Sequence, residues 1–229
     1  MTRPTIGVLA LQGDVAEHMR VLEELEVRTA EVVSPGHLDA VDALVIPGGE
    51  STAMSRIAVR QGLLEPLRER VRAGMPAYGT CAGMVMLADR ILGGADGQRT
   101  VGGIDMTVRR NAFGRQSASF EAAVPIDGLE GGAFDALFIR APWVEEVGPG
   151  VSVLGRVPGG DGAGRIVAVR QGGLMATSFH PELTGDARIH RLFVDIVKGL
   201  PWPATPSGPP PSTRRPSSTP SEASSSPSW

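Results

Sequence analysis

The sequence predicts an α/β fold: an open, mostly parallel sheet in a three-layer, flavodoxin-like arrangement, carrying an antiparallel extension. Three observations predict it. Thr5 to Leu11 is a continuous apolar run of the kind that a strand covered on both faces requires. Strand-like and helix-like periods then alternate as far as Gly93. Beyond Gly93 the signals become short strands separated by glycine-rich turns, which suits antiparallel additions to a parallel sheet.

After the opening run, Val15, Met19, Leu22 and Leu25 recur at helical spacing, so strand is followed by helix. Val27 to Val33 and Ala43 to Ile46 read as two further strands. Ala53 to Arg72 reads as one or two helices around a break at Gln61 and Gly62. Pro76 to Thr80 is a short strand that enters a turn at Cys81 and a helix from Ala82 to Ala88. The strand signals of the second half are Asp105 to Arg109, Ser119 to Val124, Ala136 to Arg140, Val151 to Val157, Arg165 to Arg170 and Leu174 to Phe179. Pro158 to Gly164 makes a longer hairpin loop than the fold needs. The last helix, Ala187 to Gly199, places Ile189, Leu192, Phe193, Ile196 and Val197 on one apolar face. From Pro201 to Trp229 nearly every residue is Pro, Ser, Thr, Gly or Ala, which cannot bury enough apolar surface to offset its ordering entropy. The expected organisation is one domain over 1–200 and a disordered Pro/Ser-rich tail over 201–229.

A chain of 229 residues supports one sizeable core. With 22 basic against 25 acidic side chains, a formal charge of -3 leaves no bulk basic surface for phosphates, and no nucleic acid partner is expected. The apolar stretch Ile6 to Leu11 is too short for a signal-peptide core, and no window approaches the roughly 20 apolar residues of a membrane span. One cysteine forms no intrachain disulfide, and four scattered histidines lack zinc-site spacing. The expectation is a cytoplasmic protein with no metal, no cofactor and no membrane partner.

Three segments carry chemistry. Gly79-Thr80-Cys81-Ala82-Gly83 is a G-x-C-x-G at a strand-to-helix junction. Its glycines permit a sharp turn that lifts the sulfur clear of the sheet, and the helix N-terminus favours thiolate. A small buried cysteine in a glycine-rich turn is the competing interpretation. The base is His180 of Phe179-His180-Pro181-Glu182. In an extended segment residues two apart point the same way, so Glu182 would reach the His180 ring and fix its tautomer. A strand end with solvated polar groups is the bland alternative, but both segments fall at C-terminal strand ends, where open α/β sheets place their sites. Third, Pro47-Gly48-Gly49-Glu50-Ser51 follows a buried strand. The main-chain N–H groups of Gly48 and Gly49, with that of Ala82, would hold an oxyanion, while Ser51 and Thr52 would cap the next helix. His18, read on the polar side of its helix, His37 and His190 are expected to be solvated or locally bonded.

These residues resemble the triad-type, class I glutamine amidotransferases, and among them the glutaminase subunits of pyridoxal 5'-phosphate synthase. The resemblance spans residues 5 to 199. It rests on the elbow, on Gly7-Val8-Leu9-Ala10-Leu11-Gln12-Gly13 with Glu17-His18, on Arg110-Asn111-Ala112-Phe113-Gly114-Arg115-Gln116 followed by Ser119-Phe120-Glu121, and on Phe179-His180-Pro181-Glu182-Leu183-Thr184. It implies a Cys81, His180, Glu182 triad that hydrolyses L-glutamine to glutamate and ammonia. Gly49, Glu50, Ser51, Arg110, Ile139 and Arg140 would line the glutamine pocket, with Arg110 or Arg140 on the substrate carboxylate. Ammonia would pass to a separate synthase subunit in a heteromeric complex, where docking orders the oxyanion region, so that the glutaminase is weak alone. Pyridoxal phosphate would be the product of the pair and not a cofactor. The alternatives are a glutaminase subunit serving another acceptor, such as histidine biosynthesis, an amide or peptide hydrolase using the same elbow, and a noncatalytic binding module on the same fold.

Overall fold

The computed structural model describes residues 3–113 and 119–199. The proposed tail over 201–229 and the Gly114-Arg115-Gln116 part of the resemblance lie outside the described residues. The first half runs β1 (Thr5–Leu9), α1 (Val15–Glu24), β2 (Arg28–Val32), α2 (Pro35–Asp39), β3 (Ala43–Ile46), α3 (Ser51–Arg60), α4 (Leu64–Arg72), β4 (Ala77–Thr80) and α5 (Ala82–Leu87). The second half runs β5 (Ala88–Leu92), β6 (Ile104–Arg109), β7 (Ser119–Val124), β8 (Phe134–Ile139), β9 (Trp143–Val147), β10 (Ser152–Arg156), β11 (Ile166–Gln171), β12 (Leu174–Thr177) and α6 (Arg188–Val197).

The main sheet holds ten strands in the path β2-β1-β3-β4-β12-β11-β9-β6-β5, with β10 paired to β11 outside that path. Its first five strands are mutually parallel, in the order that characterises flavodoxin-like sheets. From β12 onward β11, β9 and β6 pair antiparallel, and β5 returns parallel to β6. This is the expected parallel sheet with an antiparallel extension. β7 and β8 form a separate antiparallel hairpin.

Alternation along the strands divides the interior into two cores. Leu44 and Ile46 join Met54, Ala58 and Leu67 of α3 and α4 on one face. Ala43 and Val45 join Leu22 of α1, Ile189 and Phe193 of α6, and Phe134 and Phe138 of the hairpin on the other. Strands covered on both faces need the continuous apolar composition that β1 and β3 show. No described helix is long and apolar enough to cross a membrane.

Three elements escaped the sequence pattern. α2 is little more than one turn, begun by Ser34, whose side chain accepts from the His37 N–H, and Ser-Pro-Gly carries no apolar period. β5 is an edge strand whose Asp89 and Arg90 are exposed, and β9 places Glu145 and Glu146 in its middle. Both lack the alternation that marks a half-buried strand.

Register brings the chemistry together. Thr80 of β4 pairs with Thr177 of β12, and Ile46 of β3 with Gly79 of β4. The segments after β3, β4 and β12 therefore leave the sheet at one edge, as does the Gln12-Gly13-Asp14 turn after β1, which pairs with β3. That edge is the carboxyl end of the parallel strands.

Candidate active site

Cys81 stands between β4 and α5 with φ 48 and ψ -103. A non-glycine residue rarely adopts this left-handed backbone, and it marks a strained turn that projects the side chain. The strain sits on the cysteine itself. Neither Gly79 nor Gly83 has a positive φ, so the two glycines serve close approach and not an unusual backbone angle. A Cβ on Gly79 would stand 2.4 Å from the Gly83 carbonyl, and one on Gly83 would stand 2.0 Å from the Ile46 carbonyl oxygen. The turn is fixed by a Cys81 N–H bond to the Thr177 carbonyl at 2.8 Å. Sγ lies 3.8 Å from the Ile139 carbonyl oxygen, and the residue is 7% exposed, open to a cavity of about 370 Å³.

His180 also lines that cavity, and its N–H bonds to the Leu137 carbonyl at 3.0 Å. Its Nδ1 is 2.7 Å from Glu182 Oε1 and 3.3 Å from Asp14 Oδ2. The route by which Glu182 arrives differs from the extended segment expected. β12 ends at Thr177, and Pro181–Leu183 form a 3-10 turn that folds the fully buried Glu182 back beneath the ring. Proline at the first position of that turn supplies its φ without losing a needed N–H. Burial works against charge on His180, but hydrogen bonds with Cys81 and Glu182 and the charges of both outweigh it and push the imidazole up to about 10. Burial raises the Glu182 carboxyl, and the His180 contact pulls part of that back. Sulfur, imidazole and carboxyl group thus lie in sequence, with the charged form of the imidazole favoured. Among the described residues Asp14, His180 and Glu182 also have metal-ligand spacing, with ligand atoms within 4.8 Å of one another. The 2.7 Å His180–Glu182 hydrogen bond and the 3.3 Å His180–Asp14 contact account for the closeness.

The glycine loop after β3 lies against the same centre. A Cβ on Gly48 would meet His180 Cε1 at 2.3 Å, and Gly49, with φ 150, packs against the Gln12 side chain. Gln12 Oε1 accepts from the Glu50 N–H at 2.7 Å, which ties the β1 turn to the loop. Ala82 begins α5, where main-chain N–H groups lack helical acceptors. The helix after the loop is capped by Glu50, whose carboxylate accepts from the N–H groups of Thr52 and Ala53, and not by Ser51 or Thr52. Burial opposes charge on Glu50, but those bonds and the Arg110 guanidinium hold its carboxyl below the usual range.

All six expected pocket residues line the cavity: Gly49, Glu50, Ser51, Arg110, Ile139 and Arg140. Arg110 is already engaged, donating to Glu50 Oε1 and to Gln98 Oε1 at 2.8 Å each. Arg140, at φ 43, makes no hydrogen bond or ion pair among the described residues.

Gln12, Asp14 and Gln98 joined the site unannounced. The first two follow β1 at the edge that every parallel strand shares, and that position was the available signal. His18 and His190, expected to be solvated or locally bonded, are both fully buried and bond to each other across two helices. His18 falls three residues after Val15 and four before Leu22, on the apolar side of α1, and His190 falls three before Phe193. Helical period alone would have placed them inward.

A family model described as the SNO glutamine amidotransferase family matches residues 8–198. The chain is 68% identical over 196 residues to a protein of Thermobifida fusca called pyridoxal 5'-phosphate synthase subunit PdxT, covering 86% of this chain and 98% of that one. It is 62% identical over 195 residues to a protein of the same name from Acidothermus cellulolyticus, covering 85% and 94%. A crystal structure of a glutamine amidotransferase superposes with a TM-score of 0.77 at 44% identity, covering 84% of this chain and 98% of that one. A putative GMP synthase component from Thermoplasma acidophilum, 17% identical with a TM-score of 0.62 and covering 87% and 96%, shares the fold. With the family match running from β1 to the end of α6, the chain belongs to the SNO glutamine amidotransferase family.

Proposed function

We propose that this chain hydrolyses L-glutamine to L-glutamate and ammonia through Cys81, His180 and Glu182, and delivers the ammonia to a synthase subunit that makes pyridoxal 5'-phosphate. The observation that carries the reading is that Cys81 and His180 line one cavity while Glu182, buried behind it, holds His180 Nδ1 at 2.7 Å. The relatives called pyridoxal 5'-phosphate synthase subunit support the choice of acceptor. The thiolate attacks the side-chain amide carbon, and the carbonyl oxygen becomes an oxyanion held by the main-chain N–H groups of Gly48, Gly49 and Ala82. His180 gives its proton to the departing nitrogen, ammonia leaves, and a glutamyl thioester remains. Neutral His180 then takes a proton from water as the hydroxyl adds to the thioester carbon, and collapse expels the Cys81 thiolate beside a restored imidazolium. Ammonia in neutral water is mostly ammonium and no longer nucleophilic, which explains why a partner must receive it directly. Ammonia release from glutamine is measured for the full chain with and without its synthase subunit. Weak release alone and strong release with the partner is expected; none in either condition removes the proposal.

Arg140 is the group proposed to take the substrate carboxylate, because its guanidinium fork has no partner among the described residues while Arg110 serves Glu50 and Gln98. Arg140→Gln should raise KM for glutamine about 10- to 100-fold, the worth of a charged hydrogen bond of ~1.5–3 kcal/mol, with a much smaller change in kcat. An unchanged KM assigns the carboxylate elsewhere.

A further inference from the structure

We propose that His18 is a positioning residue for the reaction centre, presenting its Nε2–H to the Glu182 carboxylate oxygen that His180 leaves unused. The inference rests on the glutaminase reading above. Glu182 is fully buried, its Oε1 accepts a hydrogen bond from His180, and its Oε2 is buried with no hydrogen-bond partner among the described residues. Leaving one oxygen of a buried carboxylate empty is costly. The polar group that faces it is His18 Nε2, at 3.4 Å. At that distance the contact is electrostatic in the resting site and a small carboxylate rotation makes it a hydrogen bond.

The tautomer follows from the rest of the network. His18 Nδ1 is 2.9 Å from His190 Nε2, and His18 Nε2 is 3.1 Å from Thr80 Oγ1. His190 Nδ1 is buried without a partner among the described residues, so a proton there would be an orphaned donor. The His190 proton therefore sits on Nε2 and is donated to His18 Nδ1. That leaves the His18 proton on Nε2, facing Thr80 and Glu182. Both rings stay neutral: burial, then the neighbouring imidazoles, push His18 well below its ordinary value, and burial brings His190 to about 4. The other titratable groups acting on Glu182 are His180, which favours its charge, and Asp14, which opposes it; the buried Tyr78 phenol also feels the carboxylate. His18 thus supplies a donor to the back of Glu182 without adding a second cation.

Removing a donor to the charged form raises a carboxyl's affinity for protons, and a protonated Glu182 no longer supports the His180 imidazolium. The full chain is assayed with its synthase subunit. His18→Leu should lower kcat about 10- to 100-fold, the cost of a misplaced catalytic group, with KM for glutamine nearly unchanged. The acid limb of its kcat/KM profile should move up by about one pH unit, because less acid then suffices to protonate Glu182. His18→Gln, which keeps an N–H near the Nε2 position, should recover most of the rate and the native limb. A folded His18→Leu with native kcat and limb, or a His18→Gln no better than it, overturns the proposal. If His18→Leu does not fold, His190→Leu carries the test: freeing the His18 tautomer should displace the limb the same way by less, and an unmoved limb is decisive against it. Alkylation of Cys81 by iodoacetamide across pH reads the same network without glutamine. A wild-type chain that is alkylated but releases no ammonia counts against the glutaminase reading alone.

Discussion

Cys81→Ala is expected to lower partner-stimulated glutamine hydrolysis by roughly 10⁴- to 10⁶-fold, the scale seen when a nucleophile is removed from a hydrogen-bonded triad. The sulfur's near partners are the His180 ring and the Ile139 carbonyl, and neither holds the fold. The positive φ of Cys81 is carried by alanine with similar strain, and the turn keeps its N–H bond to Thr177. Melting temperature should therefore stay near the native value while activity disappears. The imidazole ought to register the change as well. Contacts with Cys81 and Glu182 raise His180 against the pull of burial, so loss of the sulfur leaves Glu182 as the main support and lowers the pH at which the ring gives up its proton. NMR titration of His180 measures that shift. Hydrolysis surviving within tenfold of wild type would mean that the nucleophile is some other group.

Legibility differed between the parallel half and everything attached to it. β1, β3, β4 and β12 are buried on both faces, and their apolar runs announced them almost to the residue. Because parallel strands end together at one edge, the same runs also located Cys81, His180 and the Gly48-Gly49 loop as neighbours, before any distance was known. Two strands of the extension gave less. β5 and β9 carry charged residues in mid-strand, since one face or one edge meets water, and alternation vanishes there.

The errors at the site share one cause: local patterns do not record what the rest of the chain brings near. Glu182 reaches His180 through a 3-10 turn, which the proline could have suggested but a strand-end reading overlooked. Glu50 takes the capping role because its carboxylate is also answered by Arg110, a residue from beyond β6. His18 and His190 are polar residues on apolar helix faces, tolerated because each finds the other across two helices. Such pairs are invisible to a window of one helix. The G-x-C-x-G segment was located correctly but for an incomplete reason, since its glycines answer to backbone contacts with β3 and α5 that only the packed fold contains.

That last point makes Gly83→Ala the substitution with the largest expected structural effect. A methyl at position 83 would stand 2.0 Å from the Ile46 carbonyl oxygen and 2.9 Å from its carbonyl carbon. These atoms belong to the C-terminal end of β3, whose neighbours β1 and β4 hold it on both sides, so they cannot turn aside as a flexible side chain does. α5 must lift from the sheet, and α5 is buried along its whole length. Overpacking of this kind belongs to the severe class, about 3–5 kcal/mol, against a total stability of about 5–15 kcal/mol. A chain of this size loses about 2–4 °C in Tm per kcal/mol, so a fall of about 10 °C is expected. The displaced helix also carries the Ala82 N–H, so residual activity should drop further than the folded fraction does. Gly36→Ala provides the contrast: nothing lies within 4 Å of its would-be methyl, its φ is not positive, and it sits within α2. Helix propensity there predicts a gain of up to about 1 kcal/mol. Thermal unfolding of the two variants beside wild type decides the matter: a Gly83→Ala chain melting within a degree of wild type would show that the elbow helix is not wedged against β3.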